Sequence, residues 1–99
     1  MEQTLFVINP NSTQAVTDAF DAALDPLRMA GGPRIQCLTL AEGPAGVQTQ
    51  LDVESVTLPL PALVRKLDAE HGAAAAGYVI ACFSDPGLHM LRDLKGVLS

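Results

Sequence analysis

The chain has 99 residues, a net charge of −5 at pH 7 and an apolar fraction of 48%, a composition typical of one globular domain with a modest core. The negative charge and an aromatic content of 4% argue against a nucleic-acid partner and against an anionic membrane surface. Two cysteines are too few for a disulfide framework, and neither histidine has neighbours at zinc-ligand spacing.

The N-terminal residues predict a strand followed by a polar turn. Thr4 to Ile8 is a compact run of β-branched and aromatic residues, typical of a strand that is buried on both faces. The segment Asn9 to Ser12 then breaks the strand. Asn11, followed three residues later by Gln14, resembles a capping arrangement at the start of a helix.

A helix and a second strand follow. Apolar residues recur at helical spacing and predict the inward face of the helix: Val16, Phe20, Leu24 and Leu27. We expect Pro26 to end or kink this helix and the run Gly31 to Pro33 to terminate it. Arg34 to Leu40 is predicted as the second strand, and Ala41 to Gln50 as a loop.

The next segment, from about Leu51 to His71, is predicted as helical, with interruptions at Pro59 and Pro61 and a C-cap at Gly72. Its second part has an apolar inward face, formed by Leu63, Val64 and Leu67.

The last third of the chain predicts one more strand and one more helix. Ala73 to Ala76 is read as a tight connection, Gly77 to Ala81 as the third strand, and Pro86 to about Lys95 as the last helix. The end of the chain, Leu94 to Ser99, does not predict a further strand.

These elements predict an α/β fold, a three-layer domain that spans residues 1–99 in the order β-α-β-α-β-α. Apolar strands that alternate with helices favour a parallel sheet with right-handed crossovers. The loops that follow the three strands should therefore meet at one edge of the sheet, where open α/β sheets bind ligands.

Cys82 is placed by this reading at the C-terminal tip of the third strand. Asp85-Pro86 is a strong signal for a helix start, since Asp is a good N-cap and Pro suits the first helical position. A thiol beside a helix N-terminus ionises easily. Position alone leaves two alternatives open, a reactive thiol and a small buried apolar side chain. Cys37 lies within the second strand, and we interpret it as structural.

Three segments together resemble the Asp/Glu/hydantoin racemase superfamily. Within it they most resemble the branch of hydantoin and allantoin racemases. They are Ile8 to Thr13, the second loop with Gly43-Pro44 and Val47 to Thr49, and Tyr78 to Leu88. The segments lie in the expected order on three predicted loops, and the resemblance covers almost the whole chain.

This resemblance implies two-base catalysis without a cofactor or a metal, on a hydantoin or an amino-acid-derived small molecule. In such enzymes two similar α/β halves face each other, and each half supplies one cysteine. Carried over by motif, Cys82 is the catalytic cysteine of the first half. The backbone N–H groups of Phe83 and Ser84 would bind a substrate oxygen, and Asn9 and Asn11 would line the pocket. Gln48 is also a candidate substrate-binding residue, although the family often has Glu there.

The second half and its cysteine are missing from these 99 residues. We therefore expect an N-terminal half of the racemase-like fold, completed by a missing second half or by homo-oligomerisation. An alternative is a non-catalytic remnant, or a domain that binds a small anion. The N-terminus lacks the basic flank and the long apolar stretch of a signal peptide, and no apolar run is long enough to cross a membrane. A cytoplasmic location without a membrane partner is therefore expected.

Overall fold

A parallel four-stranded sheet forms the centre of the computed structural model, which describes residues 3–47 and 49–81 and the backbone of residues 97 and 98. The strand order is β2-β1-β3-β4, and every neighbouring pair is parallel. The strands are β1 (Thr4–Asn9), β2 (Arg34–Thr39), β3 (Ala75–Ile80) and β4 (Val97–Leu98). The predicted α/β class and parallel sheet are confirmed.

The strand order places the two main helices on opposite faces of the sheet. The chain moves from β1 to β2 in one direction and then crosses back over β1 to reach β3. Right-handed crossovers in opposite directions put their helices on opposite faces. The order therefore reverses between β1 and β3, and the crevice beyond their carboxyl ends is the topological switch point where such sheets bind ligands.

The hydrophobic core lies on the face of the sheet that packs against the second half of the chain. From β1, Phe6 and Ile8 enter this core, and from β3, Tyr78 and Ile80. The other core members are Leu40, Val56, Leu60, Val64, Leu67 and Ala75. The rings of Phe6 and Tyr78 stack with centroids 5.7 Å apart, which joins the two central strands of the sheet through their side chains.

The first helix, α1 (Gln14–Leu24), packs against β1 and β2. A short 3-10 turn, Asp25–Leu27, follows it, so the expected helix end at Pro26 is confirmed. Two details of the prediction are wrong. Leu27 lies in that turn with 61% of its surface exposed and does not continue the inward face. The N-cap is Thr13, without a side-chain capping bond, and not Asn11.

The second helical region consists of α2 (Gln50–Ser55) and α3 (Pro59–His71). The break comes before Pro59, as predicted, but Pro61 does not interrupt α3. It lies in the first turn, where the missing N–H has no intrahelical partner in any case. Gly72 ends α3 with φ +55°, a left-handed conformation that glycine adopts without strain, and the predicted C-cap is confirmed.

The end of the chain differs from the prediction. A 3-10 turn, Gly72–Ala74, connects α3 to β3, and β3 begins at Ala75, two residues earlier than predicted. Val97 and Leu98 pair with Tyr78 and Val79 as a short fourth strand, where the sequence predicted none. The predicted last helix lies outside the described residues. No helix in the described ranges combines the length and the apolar character that crossing a membrane requires.

Candidate functional site

The carboxyl ends of β1 and β3 lie side by side at the switch point. Ile8 pairs with Ile80, and the backbone N–H of Ala81 donates to the Ile8 carbonyl oxygen over 2.9 Å. Pairing between these strands thus extends one residue beyond β3. Asn9, the last residue of β1, is 1% exposed, so its polar side chain needs hydrogen-bond partners within the protein.

The Asn9 side chain is held by hydrogen bonds on both of its ends. The two hydrogens of its Nδ2 are shared among three acceptors: Asn11 Oδ1 at 2.8 Å, Thr17 Oγ1 at 3.1 Å and the Thr13 carbonyl oxygen at 3.3 Å. Its Oδ1 accepts from the backbone N–H of Asn11 over 3.3 Å. A backbone donor on one side and a backbone acceptor on the other fix which way the amide points.

Asn11 is held in the same way but keeps one end unused. Its Oδ1 accepts from Asn9 Nδ2 and, over 2.9 Å, from the backbone N–H of Thr13. Its own Nδ2 has no hydrogen-bond partner among the residues that the structure describes. Asn11 is half-buried and lies at the carboxyl edge of the sheet.

A chain of side-chain hydrogen bonds runs away from Asn9 towards the surface. The hydroxyl oxygens of Thr17 and Thr39 are 2.6 Å apart, and Thr39 Oγ1 donates to Gln14 Oε1 over 2.8 Å. Gln14 Nε2 in turn donates to Asp18 Oδ1 over 2.9 Å. This chain of hydrogen bonds links α1, β1 and β2 behind the candidate site.

The loop after β2 is anchored to the turn after β1. Ser12 N–H donates to the Pro44 carbonyl oxygen over 2.8 Å, and Thr13 Oγ1 donates to the Ala45 carbonyl oxygen over 2.7 Å. The approach is closest at Gly43, where an added Cβ would lie 2.4 Å from the carbonyl oxygen of Pro10. Glycine is therefore needed there because no side chain fits between the two loops.

Cys37 lies apart from this edge, in the middle of β2. Burial raises the pKa of its thiol, and the nearby Asp21 carboxylate raises it further, while the Arg28 guanidinium lowers it. A thiol with a raised pKa stays protonated at neutral pH, and the thiol form neither attacks as a nucleophile nor accepts a proton. These features support the structural interpretation of Cys37.

A cavity of about 340 Å³ lies at the opposite edge of the sheet, between Arg28 and Arg34 and along the turn that precedes β2. The Arg28 side chain there is already engaged by Asp21, Asp25 and the Ile35 carbonyl oxygen. The cavity is remote from Asn9, and we do not assign the site to it. In the described ranges no three His, Cys, Asp or Glu residues are grouped so that they could hold a metal ion.

Four of the predicted site residues lie outside the described residues: Gln48, Cys82, Phe83 and Ser84. The structure does place their neighbours in the sequence. Ala81, which precedes Cys82, is bonded to the end of β1. Thr49, which follows Gln48, caps α2 in a reciprocal arrangement with Asp52. The other two predicted site residues, Asn9 and Asn11, are described, and they lie together at the carboxyl edge.

The comparison with protein families decides the wider relationship. Residues 5–97 match the model of the family described as Asp/Glu/Hydantoin racemase. The chain belongs to this family. The resemblance expected from the three sequence segments is thereby confirmed.

Among characterised racemases, the chain is 36% identical over 90 residues to the hydantoin racemase of Paenarthrobacter aurescens, covering 91% of this chain and 37% of that protein. It is 30% identical over 88 residues to the hydantoin racemase of Pseudomonas sp. (strain NS671), covering 89% and 34%. The structure superposes on the allantoin racemase from Klebsiella pneumoniae with a TM-score of 0.83 and 29% identity, covering 98% of this chain and 39% of that one. The chain thus spans well under half the length of these racemases.

The sequence analysis missed the residues that hold Asn9 in place. Thr13 precedes α1 and holds Asn9 through its backbone carbonyl oxygen, which any residue type would supply. Thr17 is the one buried residue of α1, at a position where an apolar side chain would be expected, and a threonine there is an unusual pattern. That signal was present in the sequence, but the partner Thr39 becomes evident only from the pairing of β1 with β2.

Proposed function

We propose that this chain forms the part of a racemase active site that carries one proton-transfer group, the thiolate of Cys82. The substrate is a hydantoin or a related amino-acid-derived small molecule. The thiolate removes the proton from the stereocentre, the electron pair is delocalised into the adjacent carbonyl as an enolate, and a proton returns to the same carbon. The net reaction changes configuration only, so it needs no redox cofactor.

The observation that carries the proposal is the bond between Ala81 N–H and the Ile8 carbonyl oxygen, in a chain of the racemase family. This bond holds the residue before Cys82 at the end of β1, beside Asn9. Consecutive Cα atoms are about 3.8 Å apart, and we therefore propose the switch-point crevice beside Ala81 as the place where Cys82 acts. A catalytic residue at that position meets a ligand in the place where such sheets bind one.

The substrate oxygens need donors, because negative charge develops on them as the proton leaves. Asn11 Nδ2 is one donor in this proposal, since its two N–H groups have no partner among the described residues. The backbone N–H groups of Phe83 and Ser84 are the others. Gln48 belongs to the loop after β2, which is hydrogen-bonded to the turn after β1. We propose that Gln48 contacts the substrate from this loop.

Racemisation needs a second proton-transfer group on the opposite face of the stereocentre, within about 3 Å of its proton. Cys37 does not fill this role, because it faces α1 from the middle of β2 and its pKa is raised. We propose that the second group comes from a second copy of the chain, or from a segment that corresponds to the rest of the longer racemases.

Polarimetry on an enantiopure 5-substituted hydantoin tests this function. We expect that the monomeric 99-residue chain does not accelerate racemisation, so the optical rotation decays at the uncatalysed rate. A rapid loss that scales with dimer concentration and disappears in Cys82→Ser assigns the second group to a second copy. A rapid loss that persists in Cys82→Ser would contradict the assignment of the base.

A second candidate function is the binding of a small anion without turnover. The observation that favours it is the Asn11 amide at the carboxyl edge, where both bonds of the side chain go to Oδ1 and Nδ2 has no partner among the described residues. Isothermal titration with a hydantoin and its ring-opened carbamoyl acid distinguishes the two functions. Binding without any isotope exchange at the stereocentre would favour this second function over catalysis.

A further inference from the structure

The hydrogen-bond chain from Asn9 to Asp18 has a defined direction. An ionised carboxylate only accepts, so Asp18 takes a hydrogen from Gln14 Nε2. Gln14 Oε1 must then be the acceptor for Thr39, whose hydroxyl has a single hydrogen to give. Of the two hydroxyls that lie 2.6 Å apart, the donor is therefore Thr17.

The direction is the same when it is followed from the other end. The Thr13 carbonyl oxygen and the Asn11 N–H orient the Asn9 amide so that Nδ2 faces Thr17. Thr17 Oγ1 accepts a hydrogen bond from Nδ2 and donates its own hydrogen bond to Thr39 Oγ1. The direction set from the Asp18 end agrees with the bond from Asn9, so every hydroxyl in the chain donates once and accepts once, and successive bonds of this kind strengthen one another.

We propose that Thr17 is a positioning residue. Its buried hydroxyl, with 3% of the residue exposed, holds the Asn9 amide in place, and Asn9 in turn holds Asn11 Oδ1. The Asn11 Nδ2 hydrogens are thereby directed at a bound ligand. The ligand part of this inference rests on the function proposed above, whereas the positioning part concerns the free protein alone.

Side-chain amide exchange in the ¹⁵N-labelled 99-residue chain tests the positioning directly. In the wild type, the Asn9 amide hydrogens should exchange with solvent more slowly than those of Asn11. Thr17→Val keeps the shape but removes the hydroxyl, and should speed Asn9 exchange by about tenfold, which is the scale of one lost hydrogen bond. Thr17→Ser restores the hydroxyl and should restore slow exchange.

A second variant covers the case in which Thr17→Val does not fold. Thr39→Val leaves the Asn9–Thr17 bond in place and removes the acceptor for the Thr17 hydroxyl, so a smaller change in the same direction is expected. Equal exchange of Asn9 and Asn11 in the wild type would overturn the proposal. So would a folded Thr17→Val chain in which Asn9 exchanges as slowly as it does in Thr17→Ser.

Titration of the same samples with a 5-substituted hydantoin separates this inference from the proposed function. The dissociation constant should rise in Thr17→Val and return to the wild-type value in Thr17→Ser. If the wild-type chain binds no hydantoin, the proposed function fails, while the exchange data still decide the role of Thr17. A dissociation constant that is equal in all three proteins would contradict the link from Thr17 to Asn11.

Discussion

The backbone N–H of Ala81 donates to the carbonyl oxygen of Ile8 over 2.9 Å. This bond holds the carboxyl end of β3 against the carboxyl end of β1, where the side chain of Asn9 makes its hydrogen bonds. The position of Ala81 relative to Asn9 thus depends on pairing between two central strands. Parallel central strands are among the most rigid elements of an α/β fold, which suits the proton-transfer role that we propose for the next residue in the sequence.

Gly43→Ala is expected to destabilise the protein. The added Cβ would meet the Pro10 carbonyl oxygen at 2.4 Å and the Leu40 carbonyl oxygen at 3.1 Å. Both are backbone atoms, so relief requires the two loops to separate. We expect a loss of about 1–3 kcal/mol in the free energy of unfolding, measured by urea denaturation.

Gly32→Ala is the matched control for this measurement. Its nearest contact is the Met29 carbonyl oxygen at 3.3 Å, which a small shift of the turn can relieve. A loss for Gly43→Ala no larger than that for Gly32→Ala would contradict the close approach of the two loops.

Tyr78 is expected to ionise only at strongly alkaline pH. Burial raises its pKa from the ordinary 10.0 to about 12, and the bond that its hydroxyl donates to Asp68 over 3.1 Å adds to the effect. A folded pKa above the unfolded one means that the stability it contributes is fully present below pH 10 and is lost as the pH rises through about 12.

The absorbance of tyrosinate measures this pKa without ambiguity, because Tyr78 is the sole tyrosine and the chain has no tryptophan. Asp68→Asn removes the neighbouring charge and should bring the midpoint closer to 10.0. A wild-type midpoint already at the ordinary value, with the chain still folded by circular dichroism, would be inconsistent with a buried hydroxyl.

The two cysteines are expected to differ in reactivity. Burial raises the pKa of Cys37, and the proposed function requires Cys82 to form a thiolate readily. Alkylation with iodoacetamide at mildly acidic pH, followed by peptide mass spectrometry, should label Cys82 before Cys37. Labelling of Cys37 should accelerate as the pH rises. Equal rates at mildly acidic pH, or faster labelling of Cys37, would remove the basis for the assignment.

The sequence predicted the parts of this fold that depend on local patterns. The continuous run Thr4 to Ile8 identifies a buried strand by its β-branched and aromatic composition, and the apolar positions of α3 identify the buried face of that helix. Pro61 was misread because a proline in the first turn of a helix looks, in sequence, like one that breaks it. The short strand β4 depends on pairing with β3 and has no local signal of its own.

The candidate site was predicted only where it depends on local sequence patterns. Asn9 and Asn11 follow a predicted strand and could be placed at the carboxyl edge from sequence alone. Their hydrogen-bond partners Thr17 and Thr39 are 22 residues apart in the chain and meet only when α1 packs on the sheet. Tertiary contacts of this kind have no sequence periodicity, so the orientation of the Asn11 amide required the structure.

The central claim, that Cys82 transfers the proton, is tested most directly by isotope exchange at the substrate stereocentre. An enantiopure 5-substituted hydantoin is incubated in D2O with the wild-type chain, with Cys82→Ser and with the matched variant Cys37→Ser, and deuterium uptake is followed by mass spectrometry against a protein-free control. Our account predicts uptake above the control with the wild type and with Cys37→Ser, and uptake at the control rate with Cys82→Ser. Undiminished uptake with Cys82→Ser, or its loss with Cys37→Ser, would contradict it.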